Sequence, residues 1–163
     1  MPKLALQEFD PHLHEDIQCE YSRIGNDYRV RFCVPHADTW DLDCEHSKND
    51  FVIGLWEHSC FELFEFNEES AEYVEWNISP TGAYWFCEFE DYRKTKAHFE
   101  LRVASDFKAI LDGNNFIVEV LLPSCFEKAR VQLNCVLENA EGKLFYFAHR
   151  HPAHKADFHL KLL

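Results

Sequence analysis

Apolar residues either alternate with polar ones or gather in short β-branched and aromatic runs along the whole chain, and no window keeps them at helical spacing for three turns. Side chains on a strand point alternately to opposite faces, so each such run predicts a strand with a core face and an opposite face. About nine runs qualify, at 17–24, 28–34, 59–66, 72–79, 83–90, 98–104, 116–122, 131–138 and 144–149. Between them lie turn-forming clusters such as Gly25-Asn26-Asp27, Pro80-Thr81-Gly82, Asp112-Gly113-Asn114-Asn115 and Glu141-Gly142, the chemistry of tight antiparallel connections. The polar stretch 35–50 reads as a loop, and 123–129 as one short helical turn. About nine short strands joined in this way fit an all-β, two-sheet antiparallel β-sandwich of jelly-roll type better than an open sheet. No repeat or linker divides residues 1–163, which are expected to form a single domain around one core.

The alternation also assigns faces. In 73–79, Val74, Trp76 and Ile78 are apolar while Glu75, Asn77 and Ser79 are polar. In 131–138, Leu133, Cys135 and Leu137 oppose Gln132, Asn134 and Glu138, with Val136 breaking the pattern. Glu62 stands among apolar residues on both faces of its run, which predicts a partly shielded carboxyl. If these strands are neighbours, Glu62, Glu75, Asn77 and Asn134 form one polar stripe. Such a stripe is either a solvated outer face or a platform where amides and carboxyls address hydroxyl groups beside a flat aromatic ring. Trp40, Trp56, Trp85, Tyr84 and Tyr92 are the candidate rings.

Charge narrows the partners. A formal charge of −13 disfavours nucleic acid and anionic membrane surfaces, which are gripped by clustered Lys and Arg. The first ten residues turn acidic before any apolar run of signal length, and no run approaches the ~20 apolar residues of a membrane span, so a cytoplasmic location is expected. Seven cysteines, an odd number without a CxxC pair, argue against a zinc cluster and a full disulfide framework. Cys19 and Cys33 become a plausible hairpin disulfide only if the protein is exported.

Four stretches stand in order over about a hundred residues: Leu55-Trp56-Glu57-His58-Ser59-Cys60-Phe61-Glu62-Leu63-Phe64, Glu75-Trp76-Asn77-Ile78-Ser79-Pro80-Thr81-Gly82, Phe89-Glu90-Asp91-Tyr92-Arg93, and Ala148-His149-Arg150-His151-Pro152 with Lys155-Ala156-Asp157-Phe158-His159. Together they resemble the landmarks of bacterial DOMON-like proteins related to family-nine carbohydrate-binding modules. The resemblance implies a β-sandwich that holds a sugar or haem on a concave face, without catalytic machinery. Glu62 matches the strand glutamate that the carbohydrate-binding relatives aim at sugar hydroxyls, and Asn77 falls in the adjoining strand motif. Where many relatives have an Asp after the Leu-Trp pair, this chain has His58-Ser59, so an acidic ligand or cation contact is not carried over at that point, and its sequence after Asp157-Phe158-His159 is short.

These readings lead to a non-catalytic domain that binds a saccharide or another small polar ligand through Trp56, Glu62, Glu75, Asn77, Arg93, Asn134 and His149. An intracellular protein-interaction module is the alternative. His149, His151, His154 and His159, with Asp157 among them, are candidate ligands for zinc or copper. A Met and His haem pair meets the obstacle that Met1 is the only methionine, which leaves bis-histidine or Cys and His ligation. No cofactor is called for, although the residues leave calcium, zinc and haem open. No GxSxG, HExxH, phosphate-binding or dinucleotide glycine motif appears in its structural context. Glu62 and Glu75 as a glycosidase pair is the one hydrolytic arrangement to consider, in a chain where 29 acidic residues make such pairs common.

Overall fold

The computed structural model describes residues 3–10 and 15–161. Its strands are β1 (Lys3–Glu8), β2 (Ile17–Ile24), β3 (Asp27–Val34), β4 (Trp40–Asp41), β5 (Cys60–Asn67), β6 (Tyr73–Ile78), β7 (Tyr84–Asp91), β8 (Lys94–Thr95), β9 (Ser105–Asp112), β10 (Asn115–Pro123), β11 (Ala129–Asn139) and β12 (Leu144–Ala148). Single 3-10 turns occur at Ala37–Thr39 and Leu55–Glu57. No helix among the described residues is long and apolar enough to cross a membrane.

All pairings between these strands are antiparallel, in the order β8-β7-β6-β5-β11-β12-β1-β2-β3-β10-β9, with β4 added beside the end of β11. The path folds into two sheets at β1, whose Lys3 to Leu6 pair with β2 while Gln7 and Glu8 pair with β12. Between the sheets, Tyr28, Val30 and Phe32 from β3 and Val118, Val120 and Leu122 from β10 meet Phe61, Leu63, Trp76, Phe86 and Leu133 from the facing sheet. Trp76, Phe86 and Phe61 are at most 1% exposed, and each fully buried side chain of this size contributes about 2–3 kcal/mol.

The all-β antiparallel class is as expected, but the described residues form 12 strands rather than about nine. β1 lies in a stretch over which no strand is expected, and β4 and β8 are two-residue pairings too short for any periodicity. The expected strand at 98–104 is irregular, and the strand lies one step on, at β9. Its apolar positions Phe99, Leu101 and Val103 are exposed despite perfect alternation. A hairpin partner adjacent in the chain decides the matter: β9 turns through Gly113, at φ +60°, straight into β10.

The expected helical turn at 123–129 is also absent. The Glu65 carboxylate reaches across the sandwich and accepts hydrogen bonds from the Cys125 and Phe126 amides, at 2.8 and 3.2 Å, and from Ser124 Oγ at 2.6 Å. These contacts hold residues 124–128 as an irregular link between β10 and β11. Cys19 and Cys33 are not opposed either. Cys19 pairs with Phe32 and Cys33 with Gln18, which sends the two thiols to opposite faces, and all seven cysteines are free.

Candidate functional site

The outer face of the β8-to-β12 sheet carries the polar stripe. Along β5 the side chains of Phe61, Leu63 and Glu65 enter the intersheet core, so Cys60, Glu62, Phe64 and Phe66 turn the other way. Register then builds the rows. Glu62 lies between Asn134 on β11 and Asn77 on β6, with Trp85 of β7 beyond Asn77. Phe64 lies between Gln132 and Glu75, with Cys87 beyond. Val136, the residue that breaks the alternation of β11, belongs to this face and packs with Cys60, Phe64, Phe89 and Ala148.

This face is not solvated. Glu62, Glu75, Asn77 and Asn134 are all 5% exposed or less. Residues 156–159 lie across the sheet and cover it. Asp157 fixes this segment: its carboxylate accepts hydrogen bonds from Tyr92 Oη at 2.6 Å and Arg93 Nη2 at 3.1 Å. Tyr92 and Arg93 form the two-residue turn between β7 and β8. Arg93 adopts a left-handed φ of +53°, uncommon for a side chain of its size, while its amide donates to Tyr73 Oη at 2.9 Å. On one side of Asp157, Phe158 packs beside Tyr146, and its carbonyl accepts from Gln132 Nε2 at 3.1 Å. His159 packs edge-on to Phe64 and Phe89, each at 5.3 Å between ring centres.

A pocket of about 420 Å³ opens between this segment and the sheet. Trp56 and Trp85, 4.9 Å apart at 64°, form one wall, Tyr146 and Phe158 contribute elsewhere, and Glu62 and Glu75 present carboxyl groups. The volume falls within the range of small-molecule sites, about 300–1,000 Å³. A second hollow, of about 460 Å³, lies beside Asp41, Glu45 and His46, but no buried polar atom without a partner faces it.

Electrostatics set what the pocket offers. Burial, reinforced by the neighbouring Glu75 charge, pushes the Glu62 carboxyl well above the usual range, against a small opposing effect of the Cys60 thiol. Burial also raises Glu75, opposed by the Asn77 amide, which donates to it at 2.7 Å, and by Arg93. Burial lowers His159 to about 4, helped by Arg93 and opposed by Asp157, so the imidazole is neutral. Tyr73 Oη accepts from the Arg93 amide at 2.9 Å and shares a hydrogen bond with His159 Nδ1 at 2.8 Å. The other ring nitrogen, Nε2, lies 3.7 Å from Glu75 Oε2. Asp157 is pushed up by burial yet held below the ordinary carboxylate value by Tyr92 and Arg93. The result is a set of donors and acceptors beside aromatic rings, with Glu62 held toward its protonated form, His159 neutral and the Arg93 charge paired to Asp157.

Trp56, Glu62, Glu75 and Arg93 line this pocket. Asn77 and Asn134 lie on the same face but behind it, Asn77 holding Glu75 and Asn134 next to Glu62 in the register. His149 is not part of it: it is exposed, and its Nδ1 lies 3.4 Å from the Ala5 carbonyl near the N-terminal strand. Trp40 and Tyr84 are core residues, while Trp85 joins Trp56. The histidine cluster does not assemble. His151 meets the Gln7 carbonyl at 2.8 Å, His154 is exposed and His159 is inside the pocket. Among the described residues no three His, Cys, Asp or Glu side chains gather where a metal ion would be held. Ser59 faces backbone rather than the pocket: its hydroxyl donates to the Asp41 carbonyl at 2.6 Å and accepts from the Glu138 amide at 2.9 Å, tying β4 to β11. Sequence reasoning missed Asp157, Phe158 and His159 as the cover of this face. The signal was the Asp-Phe-His triplet inside a recognised motif, but only tertiary contact assigns it that role.

The fold and this hollow define a class: an antiparallel β-sandwich with a ligand-sized pocket, aromatic at its wall and carboxylic at its floor, on the outer face of one sheet. No family model matches the chain, and no curated protein is significantly similar to it. Among solved structures it resembles a crystal structure described as a "putative carbohydrate-binding protein" from Bacteroides uniformis ATCC 8492. The two share 12% identity at a TM-score of 0.64, over 98% of this chain and 82% of the other. At that identity the likeness is one of fold.

Proposed function

We propose that the pocket binds a small uncharged saccharide, one or two sugar units, without carrying out chemistry on it. The single observation that supports this most strongly is the convergence of the four motif stretches on one hollow. Their residues Trp56, Glu62, Glu75, Phe89, Arg93 and Asp157 all line it, although they are spread over a hundred positions of sequence. This is the part of the chain that resembles DOMON-like and family-nine carbohydrate-binding proteins, and the solved structural neighbour described as carbohydrate-binding has the same fold. The chemistry agrees. A pyranose has an apolar C–H face that packs on indole and hydroxyls that both donate and accept, which suits Trp56 and Trp85 beside a protonated Glu62 and an acceptor-bearing Glu75. Anionic sugars would meet buried carboxyls and a guanidinium already occupied.

Calorimetric titration with a panel of mono- and disaccharides tests the reading. At least one sugar is expected to bind saturably at micromolar to millimolar concentration. Glu62→Ala is expected to weaken it by roughly tenfold or more, and Glu62→Gln, which keeps a donor, by much less. Affinity should fall as pH rises and Glu62 loses its proton. Absence of saturable binding across the panel, or equal binding by Glu62→Ala, would sink the proposal.

A further inference from the structure

Gln132, Asn134 and Glu62 sit side by side on β11 and β5, and each ends in a buried polar atom without a partner: Gln132 Oε1, Asn134 Nδ2 and Glu62 Oε2. Among the described residues seven buried side-chain polar atoms are unpartnered, and three of them share this patch. Each such atom costs about 1–3 kcal/mol when nothing meets it, so three together require an explanation. The amide assignments are not arbitrary. Gln132 Nε2 faces the Phe158 carbonyl at 3.1 Å, a position only a donor satisfies, which leaves Oε1 as the unpaired acceptor. The same nitrogen lies 3.4 Å from Asn134 Oδ1, leaving the Asn134 Nδ2 donor unused. Asn134 and Glu62 are 0% and 3% exposed.

What closes this patch is the side of the covering segment that carries Phe158. Phe158 is 8% exposed and rests among Tyr146, Val136 and Ala148, and Ala148 is the register partner of Asn134. The open pocket touches Glu62, Val136, Tyr146 and Phe158 but not Gln132 or Asn134. One carboxyl therefore borders both the open pocket and the covered amides. A donor, an acceptor and a carboxyl within one patch match a hydroxyl-bearing ring, whose groups donate and accept in turn, and offer nothing to an anion or an apolar chain.

We infer that this patch is a second, covered subsite, formed by Gln132, Asn134 and Glu62 under Phe158, which receives a further uncharged sugar unit continuous with the one in the open pocket. Phe158 then sets ligand length: while seated it restricts the site to one or two units, and when it is displaced the row across β5 and β11 becomes available to a longer chain. The inference rests on the saccharide reading of the open pocket.

Two oligosaccharide ladders, glucose to maltotriose and glucose to cellotriose, titrated into the full-length protein test it. Phe158→Ala is expected to raise trisaccharide affinity relative to glucose by roughly tenfold over the wild type, about 1.4 kcal/mol. Adding Gln132→Ala to it should return the ratio close to its original value. Phe158→Leu, which retains an apolar contact, is the second variant and should give a smaller change of the same sign. Glucose bound equally by all variants, with no change in the ladder ratio, overturns the subsite and leaves the open-pocket reading standing, the three polar atoms then being met by ordered water. Failure of every sugar to bind wild type and variants alike overturns both.

Discussion

Glu62, Glu65 and Glu75 are all buried, and the groups facing them give each a different task. Glu65 is answered by Ser124, two backbone amides and Tyr28 Oη at 3.3 Å, and so serves as a fastener between the sheets. Glu62 has one oxygen near the Cys60 thiol and the other without a partner. Its raised affinity for a proton means that the folded state holds a proton the unfolded chain gives up. Stability from this source is therefore complete below the unfolded carboxyl value, near 4.3, and declines as pH rises toward the folded one. Glu62→Gln removes that dependence. Chemical unfolding at a series of pH values should show the variant gaining on the wild type as pH rises from about 5 to 8, and losing the gain near pH 4. A parallel pair of curves would contradict the assignment. Gly82 offers a separate test. It has φ +90°, and a methyl group there would come within 2.5 Å of the Phe107 ring on β9, whereas Gly25, at φ +62°, has no atom within 4 Å. Gly82→Ala should cost about 2–3 kcal/mol and Gly25→Ala about 1 kcal/mol in thermal unfolding.

At the scale of elements, alternation revealed strands with two faces but not what lay on each face. In β6 it separated Val74, Trp76 and Ile78 from Glu75 and Asn77 as the structure has them, yet both sets are buried. A solvated outer face and a covered one have the same period. The difference comes from a segment some 80 residues later in the chain, held by an Asp157 carboxylate that no local pattern links to Tyr92 and Arg93. β9 was misplaced for a related reason, since pairing with β10 outweighed the better alternation of 98–104. The covering segment is accordingly the element that most depends on a single polar anchor. Asp157→Asn should leave the strands intact while raising hydrogen exchange of the His159 amide, which donates to Asp157 Oδ1 at 3.2 Å, by roughly tenfold or more. Unchanged exchange would show that Phe158 and His159 hold the segment without the anchor.

For the whole molecule, the sandwich places one sheet between two apolar layers, the intersheet core on one side and the cluster around Phe64, Phe89 and Phe158 on the other. The carboxyls of Glu62 and Glu75 lie in the second layer, where low dielectric strengthens any hydrogen bond they make to a ligand. Trp positions in the fold provide the most direct test of the claim that this layer holds a saccharide. Trp40 and Trp76 are core residues, 9% and 0% exposed, while Trp56 and Trp85 wall the pocket. In a two-dimensional spectrum the four indole N–H groups are separate reporters. Titration with the sugar of highest affinity should shift the Trp56 and Trp85 signals along one saturating curve and leave Trp40 and Trp76 in place. Saturation that moves all four equally, or moves neither Trp56 nor Trp85, would contradict the assignment of the pocket.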